Sequence, residues 1–321
     1  MNEDKLRENL DKYVTTGADA ILQKNENPYR EMKSDSFMLE VQPGFSGKGG
    51  SIIWTNIYKP VKMQPEAVVS EQSRYISIFG GVATDFSKLY GEVEVTLGKD
   101  ENDLQKYSFS ESLCIYVKKG MMYSINIMKV DDPSCPIHYN ELVLGDAPLV
   151  TDKFSGNDAA SYDVYIKTGS RIYGNYPDKE HVTSPVMLLD NTMFESNEII
   201  HRTWVPITTP YIMAKAAHTH ECPEILAVYG SDPDNISDLG GVVEFSIGET
   251  PETLVKYVVD KATAFSAPGG LWHCPLVFRK VNDPSKPIIF SEISYAEGLV
   301  QDRKHSDTIV DDELLPESGD Y

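Results

Sequence analysis

Apolar and polar residues alternate with a period of two over short stretches of this 321-residue chain. In GEVEVTLG, Val93, Val95 and Leu97 fall on one side and glutamate or threonine on the other; in GVVEFSIG, Val243, Phe245 and Ile247 do the same. A strand turns successive side chains to opposite faces, so each stretch predicts a β-strand with one buried face. Turn-forming runs such as SDPDN, VNDPS and APGG interrupt the alternation at short intervals, with no long amphipathic helix between them. The pattern predicts an all-β protein of antiparallel sandwich or barrel type. Helical spacing is confined to the start, where Leu6, Leu10 and Tyr13 or Val14 share one face of a polar segment.

The pattern occurs twice. At a shift of 150 residues Trp54 falls on Trp204, Pro60 on Pro210, Ala67 on Ala217, Gly80 on Gly230, Gly91 on Gly241 and Gly98 on Gly248. LQKY (Leu104 to Tyr107) meets LVKY (Leu254 to Tyr257), Gly120 meets Gly270 and, after one inserted residue, KVDDPSCPI from Lys129 meets KVNDPSKPI from Lys280. Residues 34–137 thus repeat as 184–288, a period far above that of solenoid units, so each copy is a whole domain. The polar stretch from Thr151 to Asp163 reads as the boundary. The expected layout is a helical segment over 1–30, a first barrel over 31–150, a linker and entry segment over 151–180, a second barrel over 181–300 and an acidic tail over 301–321.

Composition narrows the partners. With 29 basic and 49 acidic residues the net charge is −20, which opposes binding to nucleic acid or to an acidic membrane surface. No apolar run is long enough to span a bilayer, and the polar first residues do not read as a secretory signal. Cys114, Cys135, Cys222 and Cys274 form no Cys-x-x-Cys pair, so reduced thiols and a cytoplasmic location are expected.

The chemistry concentrates in the second copy. Within AAHTHECPEILAVYG, His218, His220 and Glu224 have the same strand parity, as do Leu226 and Val228, although Pro223 between them invites a bulge. Two imidazoles and a carboxylate inside an apolar fold are costly to bury unpartnered, and a divalent metal satisfies all three. About fifty residues on, SAPGGLWHCPL adds His273 after a Pro-x-Gly turn. His-x-His-x3-Glu followed by Pro-x-Gly-x2-His resembles the two-part signature of the cupin superfamily, and the duplication resembles a bicupin. The resemblance implies two tandem antiparallel, jelly-roll-like β-barrels with short terminal helical segments, and one metal held by His218, His220, Glu224 and His273. Where the second motif often continues His-x3-Asn, this chain has Val277. His138, His181, His201 and His305 read as surface or structural, Cys222 and Cys274 as small buried groups of which Cys222 has the ligands' parity, and Trp272, Tyr229 and Phe245 as core or stacking surfaces.

At the same shift the four ligand positions fall on Val68, Ser70, Arg74 and Tyr123, so the first copy keeps the fold without the donors. Arg74 with Tyr123 reads either as an anion site or as an arginine paired with an internal acid. The resemblance implies one divalent transition metal per chain, Fe, Mn, Ni or Zn, with open positions for a small-molecule substrate. Glu224 is then the candidate catalytic residue and homo-oligomerisation stays open. The expected activity is that of a metalloenzyme on a small oxygen-rich acid or phenol, of dioxygenase type. The alternatives are a Lewis-acid isomerase or lyase and a non-catalytic binding protein.

Overall fold

The structure, a computed structural model, describes residues 3–17, 21–22, 36–40, 51–80, 88–144, 154, 161–174, 180–182, 186–190, 193–194, 201–232, 235–294 and 304–309. Their strands pair antiparallel into four sheets, and the chain divides into two compact units. The N-terminal unit comprises residues 21–173 and 190–198; the C-terminal unit comprises 1–20, 174–189 and 199–321. No helix among the described residues is long and apolar enough to cross a membrane.

The two units repeat one topology. In the C-terminal unit one sheet runs Val14–Thr16, Thr263–Ala267, Glu224–Gly230, Ile288–Ser294, His201–Ile207, Val186–Asp190, Tyr173–Gly174. Its counterpart runs Ile166–Thr168, Leu113–Val117, Arg74–Gly80, Ile137–Val143, Ser51–Ile57, Ser36–Glu40, Ile21–Leu22. The second sheet of the C-terminal unit runs Val255–Lys261, Asp238–Gly248, Trp272–Val281, Ala216–Thr219, Lys304–Ile309, with Tyr211–Ala214 also on Trp272–Val281. That of the N-terminal unit runs Val61–Lys62, Met122–Val130, Lys88–Gly98, Gln105–Glu111, with Val68–Val69 on Met122–Val130.

In the C-terminal unit the inner faces of both sheets share one core. Val243, Phe245, Ile247, Leu276 and Phe278 from one meet Leu226, Val228, Phe265 and Phe290 from the other. Each such burial contributes about 1.5–3 kcal/mol. The duplicated glycines mark close approaches of backbone: a Cβ on Gly80 would overlap the carbonyl of Lys88, and one on Gly230 that of Asp238. Both positions therefore exclude every side chain.

All three segments outside the repeat supply strands. The first helix, Glu3–Leu10, passes through a 3-10 turn into the strand Val14–Thr16, because the β-branched run Val14-Thr15-Thr16 favours extended backbone. That strand pairs with Thr263–Phe265, and Leu6, Leu10, Tyr13 and Val14 pack on the core of the C-terminal unit. Within the expected linker, Ile166–Thr168 pairs with Leu113–Ile115 in the N-terminal unit. Within the expected tail, Lys304–Ile309 pairs with Ala216–Thr219. The units are consequently not contiguous in sequence: each takes an edge strand from the segment that precedes the other's repeat.

Candidate metal centre

The stretch around His218 is two strands, not the single one its alternation suggests. Ala216–Thr219 lies in one sheet and Glu224–Gly230 in the facing one, with His220 to Pro223 turning the corner between them. Proline lacks the N–H that a continuous ladder would need, so the break falls there. Both sheets offer their inner faces, and the side chains meet across the interior. His273, on Trp272–Val281, lies directly opposite His218 in the ladder. The turn before it is pressed against the corner: Gly270, with φ of +87°, donates its N–H to the carbonyl of His220 at 2.8 Å. A Cβ on the neighbouring Gly269 would overlap the carbonyl of Glu221. Only glycine permits this contact, which brings the two halves of the motif together.

Three imidazoles cluster, and Glu224 reaches two of them. His218, His220, Glu224 and His273 are all buried, and one ring nitrogen from each histidine lies within 4.8 Å of the others. The Glu224 Oε2 is 3.1 Å from Nε2 of His220 and 3.1 Å from Nε2 of His273. Metal bonds of about 2.1 Å place neighbouring ligand atoms roughly 3 Å apart, so these edges match a coordination sphere. Each Nδ1 meets a backbone carbonyl: Ala216 at 3.2 Å, Cys222 at 2.7 Å and Leu271 at 3.0 Å. Such bonds put the proton on Nδ1 and turn Nε2 towards the shared centre. Although His273 Nε2 is close to Glu224, it is buried and makes no aligned hydrogen bond. An orphaned ring nitrogen beside a carboxylate and two further imidazoles fits a divalent transition ion.

Electrostatics agree. Burial would raise the carboxyl of Glu224, but His220 and His273 outweigh it and hold it well below the usual range. Burial likewise opposes a charge on His220, yet Cys222 and Glu224 push its pKa up to about 10. Without an ion, His220 and Glu224 are thus an internal ion pair.

Leu226, Val228, Phe245 and Phe278 belong to the apolar core of this unit, the Phe245 ring centroid lying 6.4 Å from that of His273. Tyr229 is turned to Trp204, whose indole N–H donates to its hydroxyl. Cys222 is half-buried with its Sγ 3.2 Å from His220 Nδ1, whereas Cys274 lies in the apolar core. His138 is buried with its Nδ1 2.7 Å from Asn56 Oδ1, and the half-buried His181 has its Nδ1 2.7 Å from Thr209 Oγ1, both structural roles. The side chains of His201 and His305 lie outside the described residues.

Two residues behind Glu224 escaped the sequence reading. Ser294 Oγ is 3.5 Å from Glu224 Oε1 and 3.2 Å from Glu292 Oε1. Their signal was the repeat itself: past the inserted residue, Glu292 falls on Glu141.

In the N-terminal unit the equivalent positions keep the register, Tyr123 opposite Val68 as His273 is opposite His218. Their chemistry is inverted. Arg74 Nη1 bonds Glu141 Oε1 at 2.5 Å, its Nε donates to Ser70 Oγ at 3.0 Å, and its guanidinium lies 4.9 Å from the centre of the Tyr123 ring. Tyr139 donates to the other oxygen of Glu141 at 3.0 Å. Burial works against the Arg74 charge, but Glu141 prevails and keeps the guanidinium firmly protonated. The same burial drives the Tyr123 hydroxyl up to about 12 despite Arg74. The arginine is therefore paired with an internal acid, and its cation lies amid the positions that carry the candidate metal ligands in the other unit.

No family model matches the sequence, and no curated protein matches it. Among solved structures the chain is similar to Lactobacillus farciminis oxalate decarboxylase in a formate complex, with TM-score 0.50 and 11% identity over 90% of this chain and 87% of that one. It is also similar to Bacillus subtilis oxalate decarboxylase, in a structure used to assign the parameters of its Mn(II) centres, with TM-score 0.50 and 14% identity over 84% and 75% of the two chains. At these identities the likeness is one of fold. The chain has the all-β architecture of two cupin-like units, one of which contains a cluster of three histidines suited to a metal ion.

Proposed function

We propose that the protein is a metal-dependent enzyme acting on a small oxygen-rich organic acid or phenol, with its centre at His218, His220, Glu224 and His273. The observation that carries this reading is a buried cluster of three imidazoles, two of which have their Nε2 3.1 Å from the Glu224 carboxylate. A divalent ion there would supply Lewis acidity and, if iron or manganese, redox chemistry. Four protein donors leave room for substrate on a five- or six-coordinate ion. The protein's own groups do the rest: the backbone carbonyls of Ala216, Cys222 and Leu271 fix the three rings. Leu226, Val228 and Phe278 exclude water, which strengthens polar contacts inside. Ser294 steadies the outer oxygen of Glu224.

Oxygen-dependent turnover, of dioxygenase type, is the first reading. Decarboxylation or another lyase reaction is the second, favoured by the fold likeness to oxalate decarboxylases. The experiment is metal analysis of the purified protein, then turnover of a panel of hydroxy acids, dicarboxylates and catechols by Fe- and Mn-loaded samples with and without oxygen. Oxygen uptake matched to product supports the first reading, and equal turnover without oxygen the second. A loaded protein that binds members of the panel but converts none of them is a binding protein instead. Full metal occupancy in a His218→Ala, His220→Ala double variant would remove the site altogether.

A further inference from the structure

The segment that closes the C-terminal unit has a counterpart that closes the N-terminal one. At a shift of 152 residues LDKYVTTG (Leu10 to Gly17) falls on YDVYIKTG (Tyr162 to Gly169), with Asp, Tyr, Thr and Gly in common. Both pass from a 3-10 turn into a short edge strand, Val14–Thr16 or Ile166–Thr168. The registers correspond: Thr16 and Val14 lie opposite Thr263 and Phe265, and Thr168 and Ile166 opposite Leu113 and Ile115, the same positions of the repeat. Each strand ends on a glycine, at φ of +59° or +57°, that donates its N–H to the equivalent carbonyl, Ala262 at 2.9 Å or Ser112 at 3.4 Å. Tyr257 donates to Asp11, and Tyr107 in its place has Asp163 beside its hydroxyl.

Neither half can be closed by the segment that precedes it. Four residues beyond Gly17, the strand Ile21–Leu22 forms one edge of the N-terminal unit's seven-stranded sheet, while the closing segment of that sheet occupies the opposite edge. Those edges are about 29 Å apart along the sheet, whereas four residues reach about 14 Å at most. Gly169 and the strand Tyr173–Gly174 repeat this relation for the sheet of the C-terminal unit. A closing segment must therefore come from outside the half that follows it. The contacts that seat the first one are all made by residues 6–17: Leu6, Leu10, Tyr13 and Val14 pack on the core, Arg7 donates to the Lys256 carbonyl at 2.9 Å, and the Thr16 and Thr263 hydroxyls meet at 2.7 Å. A segment from another copy makes the same contacts.

We propose that the Thr263–Ala267 edge is a docking surface for residues 3–17 of a second copy of this chain, so that two copies exchange these segments and form a dimer. Exchange of identical elements keeps every contact, so it costs little. What opposes it is the effective concentration of a segment tethered to its own edge, on the order of millimolar. The exchanged dimer therefore gains on the monomer as the protein concentration rises towards that range.

The test mixes two full-length variants, Thr16→Cys and Thr263→Cys, in equal amounts, unfolds them in urea, refolds them together over a series of concentrations and then oxidises them. A 16–263 disulfide in this mixture can only join two chains, and mass spectrometry of the linked peptide separates it from bonds made by the native cysteines. The linked fraction is expected to grow about tenfold for each tenfold rise in refolding concentration below the millimolar range. The Thr16→Cys, Thr263→Cys double variant, refolded dilute, is expected to form the bond within one chain and shows that the pair is competent to link. Absence of the interchain 16–263 bond at every concentration, with a double variant that does link, overturns the proposal. A double variant that links neither within nor between chains overturns it as well, by removing the docked segment.

Discussion

His220 must give up a proton to become a metal ligand. With its pKa raised to about 10 it is charged at neutral pH, whereas coordination requires its neutral form. Glu224, held well below the usual range, has no proton to lose. Metal binding at pH 7 should therefore release one proton, and apparent affinity should climb about tenfold per pH unit up to about pH 10. Calorimetry in buffers of different ionisation enthalpy measures this, and binding without proton release would contradict the His220–Glu224 pair. The sign for the metal-free protein follows from the same two groups. The raised His220 stabilises fully below its ordinary 6.5 and loses that contribution as pH rises through about 10. The lowered Glu224 stabilises above its ordinary 4.5 and loses that contribution in acid. Stability from this pair should peak between these limits, and denaturant midpoints across pH will show it. Arg74 poses the matching question in the other unit. Replacing it with methionine leaves Glu141 buried without its cation, a loss expected at about 3–5 kcal/mol in denaturant unfolding. Combining Arg74→Met with Glu141→Leu should recover most of that loss.

The first helix and strand act as a clasp on the C-terminal unit. Leu10 is 2% exposed, Arg7 stacks 4.7 Å over the Tyr257 ring, and the Tyr257 hydroxyl donates to Asp11 at 2.9 Å. Leu10→Ala should cost about 2–5 kcal/mol and speed amide exchange in Thr263–Ala267 while sparing Leu113–Val117. That clasp is also where the sequence was hardest to read. Alternation in GEVEVTLG and GVVEFSIG gave their strands and inward faces directly, because Val93, Val95, Leu97, Val243, Phe245 and Ile247 are all buried. The histidine cluster was legible because His-x-His-x3-Glu and Pro-x-Gly-x2-His are local patterns, even though the first of them turns a corner at Pro223. Pairing between Val14–Thr16 and Thr263–Phe265 is not local, and no periodicity specifies a partner that distant. A shorter echo pointed to it: YVTTG (Tyr13 to Gly17) and YIKTG (Tyr165 to Gly169) occupy equivalent edges and end on glycines with φ of +59° and +57°. Glu292 went unread for a related reason, since Glu224, which it meets through Ser294 of its own strand, lies on a neighbouring one.

The duplicated chain has divided its labour at the whole-molecule scale. One unit carries its cation in the polypeptide as Arg74, and the other presents a cluster of three histidines that could take one from solution. Metal at about a hundredfold excess over its dissociation constant should stabilise the C-terminal unit by about 2.7 kcal/mol. Hydrogen exchange should show that protection in Glu224–Gly230 and Trp272–Val281, with Arg74–Gly80 and Met122–Val130 unaltered. Equal protection in both units would mean that the ion binds elsewhere or that the halves respond as one. The exchanged edge strands also set an order of events during synthesis. Thr16 and its hydroxyl partner Thr263 are 247 residues apart. At the pace of a ribosome, 5–20 residues per second, the clasp waits roughly 12–50 s for the strand that will receive it. The Ile166–Thr168 strand meets a partner made only shortly before, so the N-terminal unit can close first, and the unit with the histidine cluster is finished by a strand made long before its partner.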